Sequence, residues 1–410
     1  MDVQKIREDY PILNTGIVYL DSASTSLTPE PVLEKMLEYY REYRANVGRG
    51  LYKLSQRATE ELEEARKKIA GFINAKPEEM ILVRNTTEGI NTVSLGLSWE
   101  KGDNVVTTVT EHHSNYMVWL RVAQRFGVEL RILWPDSRGV VPLAEVEKKV
   151  DDRTKLVSIA QVSNVLGTKL PVEEFSRIAH DHGAYMLVDG AQSVPHLQVD
   201  VRRLGCDFLA FSGHKMCGPT GSGGLFIREE VMEEVEPLLL GGGAIVDVDT
   251  ASYRLEEKAR RFEAGTPAVG EAIGLGAAAD YLKKIGLEKI EAHERNLTLR
   301  IYEALKAIPR LRVHGPEPEW KVGITCFNIG NLNPHDVALF LDSVADVEVR
   351  SGLLCAHPLM REVLKEPQGA VRVSTYLYNT QQDVERFISA VEEIAHAFNS
   401  KEKGGTVKRG

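Results

Sequence analysis

The sequence has few cysteines, no long apolar run and no excess of positive charge. Its four cysteines, at positions 206, 217, 326 and 355, include no C-x-x-C pair, which excludes a zinc ribbon and a disulfide framework. No apolar stretch approaches about 18 residues, so no membrane-spanning helix is predicted. The net charge is 50 − 59 = −9, which argues against general nucleic-acid binding. Because the N-terminus also lacks the apolar core of a signal peptide, we expect a cytoplasmic protein without nucleic-acid or membrane partners.

What the sequence does contain is an alternation of short apolar runs and helical patterns. Runs at 80–83, 105–109 and 156–162 alternate with stretches of helical spacing, which is typical of a mainly parallel sheet covered by helices on both faces. A chain of 410 residues is expected to form more than one domain. We therefore predict an α/β protein with four parts along the chain. They are an N-terminal arm (1–18) packing with the small domain, a large domain (19–282), a small C-terminal domain (283–398) and a disordered tail (399–410).

Two of the apolar runs end in side chains that suit one cofactor. The run 186–188 is followed by Asp189, and the run 208–211 is followed within four residues by Lys215. In parallel sheets ligands bind beyond the carboxyl ends of the strands, so both side chains are expected in one crevice. A lysine amine bonds covalently to pyridoxal phosphate, and an aspartate pairs with its ring nitrogen. Taken singly, each residue is more often a cap or a surface ion pair.

Polar side chains also follow the other predicted strands. Thr86 or Thr87 is a candidate N-cap of the helix after strand 80–83, and the N-terminus of a helix attracts anions. Any one of these residues could have a structural role, but seven polar clusters at successive strand ends indicate a functional site. They include Thr86, Thr87, His112, His113, Asn164, Asp189, Gln192, Ser212, His214 and Lys215.

Seven runs resemble, in order, those of the pyridoxal-phosphate-dependent cysteine desulfurases. The similarity is greatest to the type II group (SufS- and CsdA-like) of the class V aminotransferase superfamily. It implies a PLP-dependent transferase of fold type I, which is aspartate aminotransferase-like, with a large domain around a mainly parallel sheet. The runs are VRNTTEGIN (83–91), EHHSN (111–115), VSNVLG (162–167), VDGAQ (188–192), FSGHK (211–215), RFEAGTP (261–267) and RSGLLCAHPLM (350–360).

The resemblance implies a role for each cofactor residue. Lys215 would hold pyridoxal phosphate and move protons at the substrate α-carbon, while Asp189 would pair with the ring nitrogen. Gln192 would bind the ring oxygen, and His112 would stack on the ring and assist proton transfer. The phosphate would be held by Thr86, Thr87, Ser212, His214 and, from the other subunit, Thr266. A complete site would then need a homodimer.

The resemblance also implies a nucleophile and a substrate clamp. Cys355 would attack the sulfur of L-cysteine as a thiolate, leaving L-alanine and a persulfide. Asn164 and Arg372 would hold the substrate carboxylate, and Arg350 would supply positive charge near the thiol. Because the loop from Arg350 to residue 358 is short, a sulfur-acceptor protein would come to the site and carry the sulfur to iron–sulfur cluster or other sulfur-compound synthesis.

One departure leaves alternatives open. The type II pattern has two histidines before the cysteine, where this chain has Leu353 and Leu354. A selenocysteine lyase or cysteine sulfinate desulfinase, which depends less on Cys355, is therefore an alternative. A class V aminotransferase or epimerase and a non-catalytic sulfur-relay scaffold are the others. His335 matches a position that in some relatives engages a zinc-bearing acceptor, although a helix-capping role is as simple. We predict no metal bound by this chain.

Overall fold

Two main sheets and the helices that cover them form the structure, a computed structural model that describes residues 1–136 and 138–404. The α-helices are α1 Val3–Arg7, α2 Glu30–Glu38, α3 Lys53–Phe72, α4 Thr86–Gly96, α5 His113–Phe126, α6 Leu143–Lys149, α7 Val172–Asp181, α8 Val201–Leu204, α9 Val269–Ile285, α10 Leu287–Ala307, α11 Pro334–Ala345 and α12 Gln381–Gly404. The strands are β1 Val18–Tyr19, β2 Met80–Val83, β3 Asn104–Thr108, β4 Glu129–Leu133, β5 Thr154–Ala160, β6 Tyr185–Asp189, β7 Phe208–Ser212, β8 Gly223–Ile227, β9 Ile245–Val248, β10 Tyr253–Leu255, β11 Leu311–His314, β12 Ile324–Ile329, β13 Val347–Glu348, β14 Arg350–Gly352 and β15 Ala370–Ser374.

The larger sheet has seven strands in the order β2-β8-β7-β6-β5-β3-β4. Strands β7, β6, β5, β3 and β4 are parallel neighbours, and β8 runs antiparallel to β2 and β7. Successive residues of a strand point to opposite faces, and here both faces are apolar: Val106 and Val188 belong to one core, Val105 and Leu187 to the other. Helices therefore cover both faces, as the alternating pattern predicted.

The smaller sheet is antiparallel, in the order β11-β12-β15-β14. Its core includes Leu297 and Ile301 of α10, Leu341 of α11 and Val391 of α12. Strand β1 pairs in parallel with β13, so the chain contacts this unit near its start as well as in its second half. Helix α12 continues to Gly404, beyond the predicted start of the tail at 399, and residues 405–410 of that tail lie outside the described residues.

The N-terminal arm lies between the two units and contacts both. Arg7 Nη1 donates to Asp383 Oδ2 of α12 at 3.0 Å and to the carbonyl oxygen of Tyr378 at 2.8 Å. Tyr10 and Leu13 are buried in the core beneath the larger sheet. The arm therefore packs against the larger unit as well as the predicted small domain. Within the described residues, no helix combines the length and the apolar character needed to cross a membrane.

Candidate active site

A cavity of about 340 Å³ lies at the carboxyl ends of the parallel strands, where the two units meet. It brings together all but one of the site residues predicted from the sequence. Its lining includes Thr86, Thr87, His112, Asn164, Asp189, Gln192, Ser212, His214, Lys215, Arg350, Cys355 and Arg372. The exception is Thr266, which is exposed and lines a separate cavity with Arg49, Gly242 and Gly243.

Asp189 ends β6 and is 4% exposed. The backbone N–H of Ala191 donates to its Oδ1 at 2.9 Å. Burial raises the pKa of Asp189, while the bond from Ala191 and the charge of Lys215 oppose that rise. A cationic group bound in the cavity would stabilise this carboxylate further, as a protonated ring nitrogen does.

Lys215 follows β7 on a short 3₁₀ turn, Gly213–Lys215, and its side chain enters the same cavity. Removal of its amine from water lowers the pKa of Lys215 to about 8, although Asp189 opposes the shift. A substantial fraction of the amine is therefore neutral near pH 7 to 8. The neutral amine is the form that attacks an aldehyde.

His112 lies at the start of α5 and lines the cavity beside Lys215. The backbone N–H of Ser114 donates to its Nδ1 at 3.1 Å, so Nδ1 is an acceptor and the ring proton is on Nε2. Burial, with the charge of Lys215, lowers the pKa of His112 to about 3. The imidazole is thus neutral at physiological pH and suited to lie against an aromatic ring.

The start of α4 also lines the cavity. The N-cap is Asn85, whose Oδ1 accepts from the backbone N–H of Glu88 at 3.0 Å, so the prediction of Thr86 or Thr87 as the cap was wrong. The physical reason is that Asn85 has the extended backbone an N-cap requires, whereas both threonines are already helical.

The two threonine hydroxyls are therefore available to the cavity. Thr86 Oγ1 lies 2.7 Å from Ser212 Oγ, and Thr87 Oγ1 lies 2.7 Å from Ser114 Oγ. Burial and the neighbouring Lys215 lower the pKa of His214 to about 4, so this ring is neutral as well. Hydroxyl donors at the N-terminus of an eleven-residue helix suit a phosphate.

Arg372 lies on β15 and also lines the cavity. Its Nη1 donates to the carbonyl oxygen of Asn164 at 2.9 Å, and its Nη2 donates to Asp21 Oδ1 at 3.0 Å and to Ser24 Oγ at 2.6 Å. Sequence reasoning did not identify Asp21 and Ser24, because they lie about 350 residues from Arg372 along the chain. An acidic residue directly after the apolar run ending at Leu20 was the available signal.

Cys355 is exposed on the loop after β14. The loop backbone is held at two points: the N–H of His113 donates to the Cys355 carbonyl at 2.8 Å, and Asn164 Nδ2 donates to the Leu354 carbonyl at 2.8 Å. Leu354 and Cys355 have φ of 50° and 54°, in the left-handed region. Two consecutive residues in this region turn the chain sharply and place Cys355 on the cavity wall.

Leu354, one of the residues that replaces a histidine, is an apolar anchor for this loop. It is 7% exposed and packs in a cluster with Val165, Leu166 and Cys326. Two imidazole rings meet next to Cys355: His357 follows it in the loop, and the His357 ring lies 4.4 Å from the ring of His113. Of the two leucines, Leu354 is buried and Leu353 is partly exposed.

Glu111 is a site residue that the sequence did not reveal. It is fully buried next to His112 in the chain, and its carboxyl accepts from Thr108 Oγ1, Asn115 Nδ2 and the backbone N–H of Ala160 at 2.6–2.9 Å. Burial raises the pKa of Glu111 to about 8, and the charge of Asp189 adds to the rise. Ionised Asp189 therefore disfavours the ionisation of Glu111 beneath the cavity.

His335 lies outside the cavity. Its Nδ1 is 2.9 Å from Ser351 Oγ, while the cap of α11 is Asn333, whose Oδ1 accepts from the backbone N–H of His335. The helix-capping alternative for the His335 side chain was therefore wrong. Among residues 1–136 and 138–404 there is no group of three or more His, Cys, Asp or Glu side chains arranged to hold a metal ion.

The residues of the cavity fit pyridoxal phosphate. A buried carboxylate, an amine whose pKa is lowered and a helix start with hydroxyl donors match the ring nitrogen, the aldehyde and the phosphate of this cofactor. Gln192 Nε2 donates to the Ala23 carbonyl at 2.7 Å, and its Oε1 is buried without a hydrogen-bond partner among the described residues. That oxygen is an acceptor left over for a bound group.

Comparisons with known proteins agree with this fit. A family model described as aminotransferase class-V matches residues 18–387. A probable cysteine desulfurase of Methanothermobacter thermautotrophicus is 47% identical over 397 residues, which are 96% of this chain and 98% of that protein. The apo structure of the cysteine desulfurase of Thermococcus onnurineus NA1 has a TM-score of 0.93 and 45% identity, covering 96% of this chain and 98% of the other. The cysteine desulfurase CsdA of Escherichia coli has a TM-score of 0.90 and 32% identity, covering 97% and 99% of the chains.

Proposed function

This chain belongs to the class V aminotransferase family and is a cysteine desulfurase of PLP fold type I, and from that premise we propose how its own residues perform the reaction. Pyridoxal phosphate, when bound, supplies an electron sink for the carbanion that forms on the substrate. One observation carries the proposal: Lys215 of the larger unit and Cys355 of the smaller unit line a single cavity.

The larger unit holds the cofactor and handles protons. We assign the phosphate to Thr86, Thr87, Ser212 and His214, and the ring nitrogen to Asp189, whose buried carboxylate favours a cationic partner. The His112 ring, neutral because of its lowered pKa, would lie against the cofactor ring. Lys215 would hold the cofactor through its amine, and the same amine would take and return the proton at the substrate α-carbon.

The smaller unit binds and attacks the substrate. Arg372 receives the carboxylate of L-cysteine, and Asn164 supports the clamp through its carbonyl oxygen. The Cys355 thiolate then attacks the substrate sulfur, with Arg350 lining the same cavity. The new bond is S–S and the broken bond is Cβ–S. Its electron pair passes to the carbon, which takes a proton, so the products are L-alanine and a Cys355 persulfide.

A matched pair of substrates tests the nucleophile. Wild type and Cys355→Ser are incubated with L-cysteine and a thiol reductant, and alanine and sulfide are measured. We expect alanine formation to fall at least 100-fold in the variant, because a serine hydroxyl cannot replace the thiolate. L-cysteine sulfinate, whose sulfur leaves without thiolate attack, is the control for a folded and loaded site. Equal loss on both substrates, or equal activity on L-cysteine, contradicts the role of Cys355.

We also propose that the active enzyme is a homodimer and that a sulfur-acceptor protein removes the persulfide sulfur in the cytoplasm. Large apolar side chains are exposed on the segments around Thr266, and Arg49 Nη2 ties two of these segments together by donating to the Ile245 carbonyl at 3.1 Å. Burial of this surface against a second copy would be favourable. The exposed residues include Leu51, Tyr52, Leu239, Leu240, Val246, Val248 and Tyr253. The exposed position of Cys355 would let an acceptor protein reach the persulfide, and we propose delivery from there to iron–sulfur clusters or other sulfur compounds.

A further inference from the structure

A short N-terminal segment, residues 20–24, lies against the substrate clamp. Asp21 forms a parallel bridge with Ser374 at the end of β15, and the N–H of Ser374 donates to the Leu20 carbonyl at 2.7 Å. The N–H of Ala23 donates to Ser374 Oγ at 2.9 Å. These bonds fix the segment along β15, two residues from Arg372, and so fix the position of the Asp21 carboxylate.

Asp21, Ser24 and Arg372 form a closed triangle of hydrogen bonds. Arg372 Nη2 donates to Asp21 Oδ1 at 3.0 Å and to Ser24 Oγ at 2.6 Å, and Ser24 Oγ donates to the same Asp21 oxygen at 2.8 Å. The Arg372 side chain is 4% exposed and that of Asp21 is 16% exposed. The charge of the clamp is therefore already paired, in a site largely closed to water.

A carboxylate that binds a guanidinium with two parallel hydrogen bonds uses one of two edges, Nε with Nη2 or Nη1 with Nη2. Both edges include Nη2, the nitrogen that Asp21 and Ser24 contact. A substrate carboxylate must therefore arrive at the atom where Asp21 sits, and two carboxylates on one guanidinium repel each other.

We propose that Asp21 is a specificity-determining residue, an internal carboxylate that occupies the Arg372 clamp before substrate and yields its place at Nη2 when an amino acid binds. The proposal rests on the function of Arg372 proposed above. Asp21 lowers the affinity of the site for every carboxylate. Asp21 lowers the affinity most for substrates with a second anionic group, such as L-cysteine sulfinate, because its carboxylate repels each added negative charge.

The field of Asp21 also reaches the reaction centre. Burial lowers the pKa of Lys215 to about 8, and Asp21 is among the charges that oppose this lowering. A charge that acts on the amine acts on a substrate held between the amine and the clamp. The discrimination between L-cysteine and a more anionic analogue therefore has a physical source within the cavity.

The first experiment measures binding without turnover. The probe is 3-mercaptopropionate, which has the thiol and carboxylate of L-cysteine but no amine to react with the cofactor. Its Kd is measured by calorimetry on holoenzyme of wild type, Asp21→Asn and Glu348→Gln. We expect Asp21→Asn to lower the Kd about tenfold, the size of one partly screened charge repulsion.

Glu348→Gln is the matched control. It removes one negative charge near Asp21. Glu348 lies outside the clamp, because the hydrogen-bond partners of Arg372 are Asp21, Ser24 and Asn164. We expect its Kd to stay within about twofold of wild type, since a charge outside the clamp is better screened. An equal change in both variants, or weaker binding to Asp21→Asn, overturns the proposal and makes Asp21 a support that holds Arg372.

The second experiment separates KM from kcat. For Asp21→Asn we expect KM for L-cysteine to fall and KM for L-cysteine sulfinate to fall further, while kcat reports separately any effect that Asp21 has through Lys215. An unchanged ratio of the two KM values overturns the specificity role. Melting temperatures verify folding, and Asp21→Ser replaces Asp21→Asn if the latter does not fold. Arg372→Lys tests the premise separately: if it binds 3-mercaptopropionate as wild type does, the assigned function of Arg372 has failed, and not that of Asp21.

Discussion

At the scale of single residues, burial sets the protonation states of the site. The same loss of water lowers the pKa of Lys215 and His112 and raises that of Asp189 and Glu111. The site therefore contains a reactive amine, a neutral ring and two carboxyls of which one is protonated at mildly acidic pH. No residue type alone determines these states, because an exposed lysine or glutamate keeps its ordinary pKa.

The lowered pKa of Lys215 predicts how the apoenzyme takes up cofactor. Only the neutral amine attacks the aldehyde, so the loading rate should rise with pH and level off above about 8, instead of near the ordinary lysine value of 10.5. Stopped-flow absorbance after mixing apoenzyme with pyridoxal phosphate measures this. In Asp189→Asn the midpoint of the rate–pH curve should move to lower pH, since Asp189 is a negative charge that favours the ammonium form of Lys215. A wild-type midpoint near 10.5 contradicts the assignment.

The raised pKa of Glu111 predicts a pH dependence of stability. Its pKa is 4.5 when exposed and about 8 in the folded protein, so the folded state binds more protons between these values. The stability from protonated Glu111 is full below pH 4.5 and lost as pH rises through 8. Glu111→Gln should flatten this fall in the free energy of unfolding, measured with urea at several pH values. Exposed Glu60→Gln is the control, and the same slope in all three proteins argues against the shift.

At the scale of elements, the loop after β14 depends on an apolar anchor. Leu354 lies at φ 50° with its side chain buried, while Leu353 beside it is partly exposed. The sequence marked both as missing histidines, but it could not tell which of the two is buried. That depends on Val165 and Leu166, which belong to the larger unit.

Histidine substitutions at 353 and 354 should therefore differ. Leu354→His places a polar ring in an apolar cluster and should destabilise the protein by about 2–5 kcal/mol. Leu353→His should cost less than about 1 kcal/mol, because its side chain reaches solvent. Urea unfolding of both variants gives the comparison. Equal destabilisation would mean that Leu354 does not anchor the loop.

At the scale of the whole molecule, the site exists because distant parts of the chain meet. Residues 20–24 lie between β15 and the larger unit, where Ala23 accepts from Gln192 and Ser24 contacts Arg372. The cofactor residues and the substrate clamp therefore share one segment of backbone. A change in that segment should affect both.

The proposed dimer predicts complementation between two inactive variants. If Thr266 serves the cofactor of the other subunit, a Lys215→Ala chain supplies Thr266 to a Thr266→Ala chain, which keeps its own Lys215. Co-expressed hybrids should then regain about half of the wild-type activity per hybrid dimer. Alanine formation by tag-purified hybrids measures this, with each homodimer as the control. No recovery in hybrids of verified composition would mean that Thr266 acts within its own subunit.

The sequence by itself determined the parallel sheet and the order of its motifs, because strand periodicity and strand-end residues are local properties of the chain. It also placed Asp189, Lys215, His112 and Cys355 in one site through their motifs. Only the tertiary structure decided which groups neighbour one another across the sequence, such as Asp21 with Arg372, and which are removed from water, such as Glu111. Burial and long-range pairing are set by packing of the whole chain, and they govern the charges on which the chemistry depends.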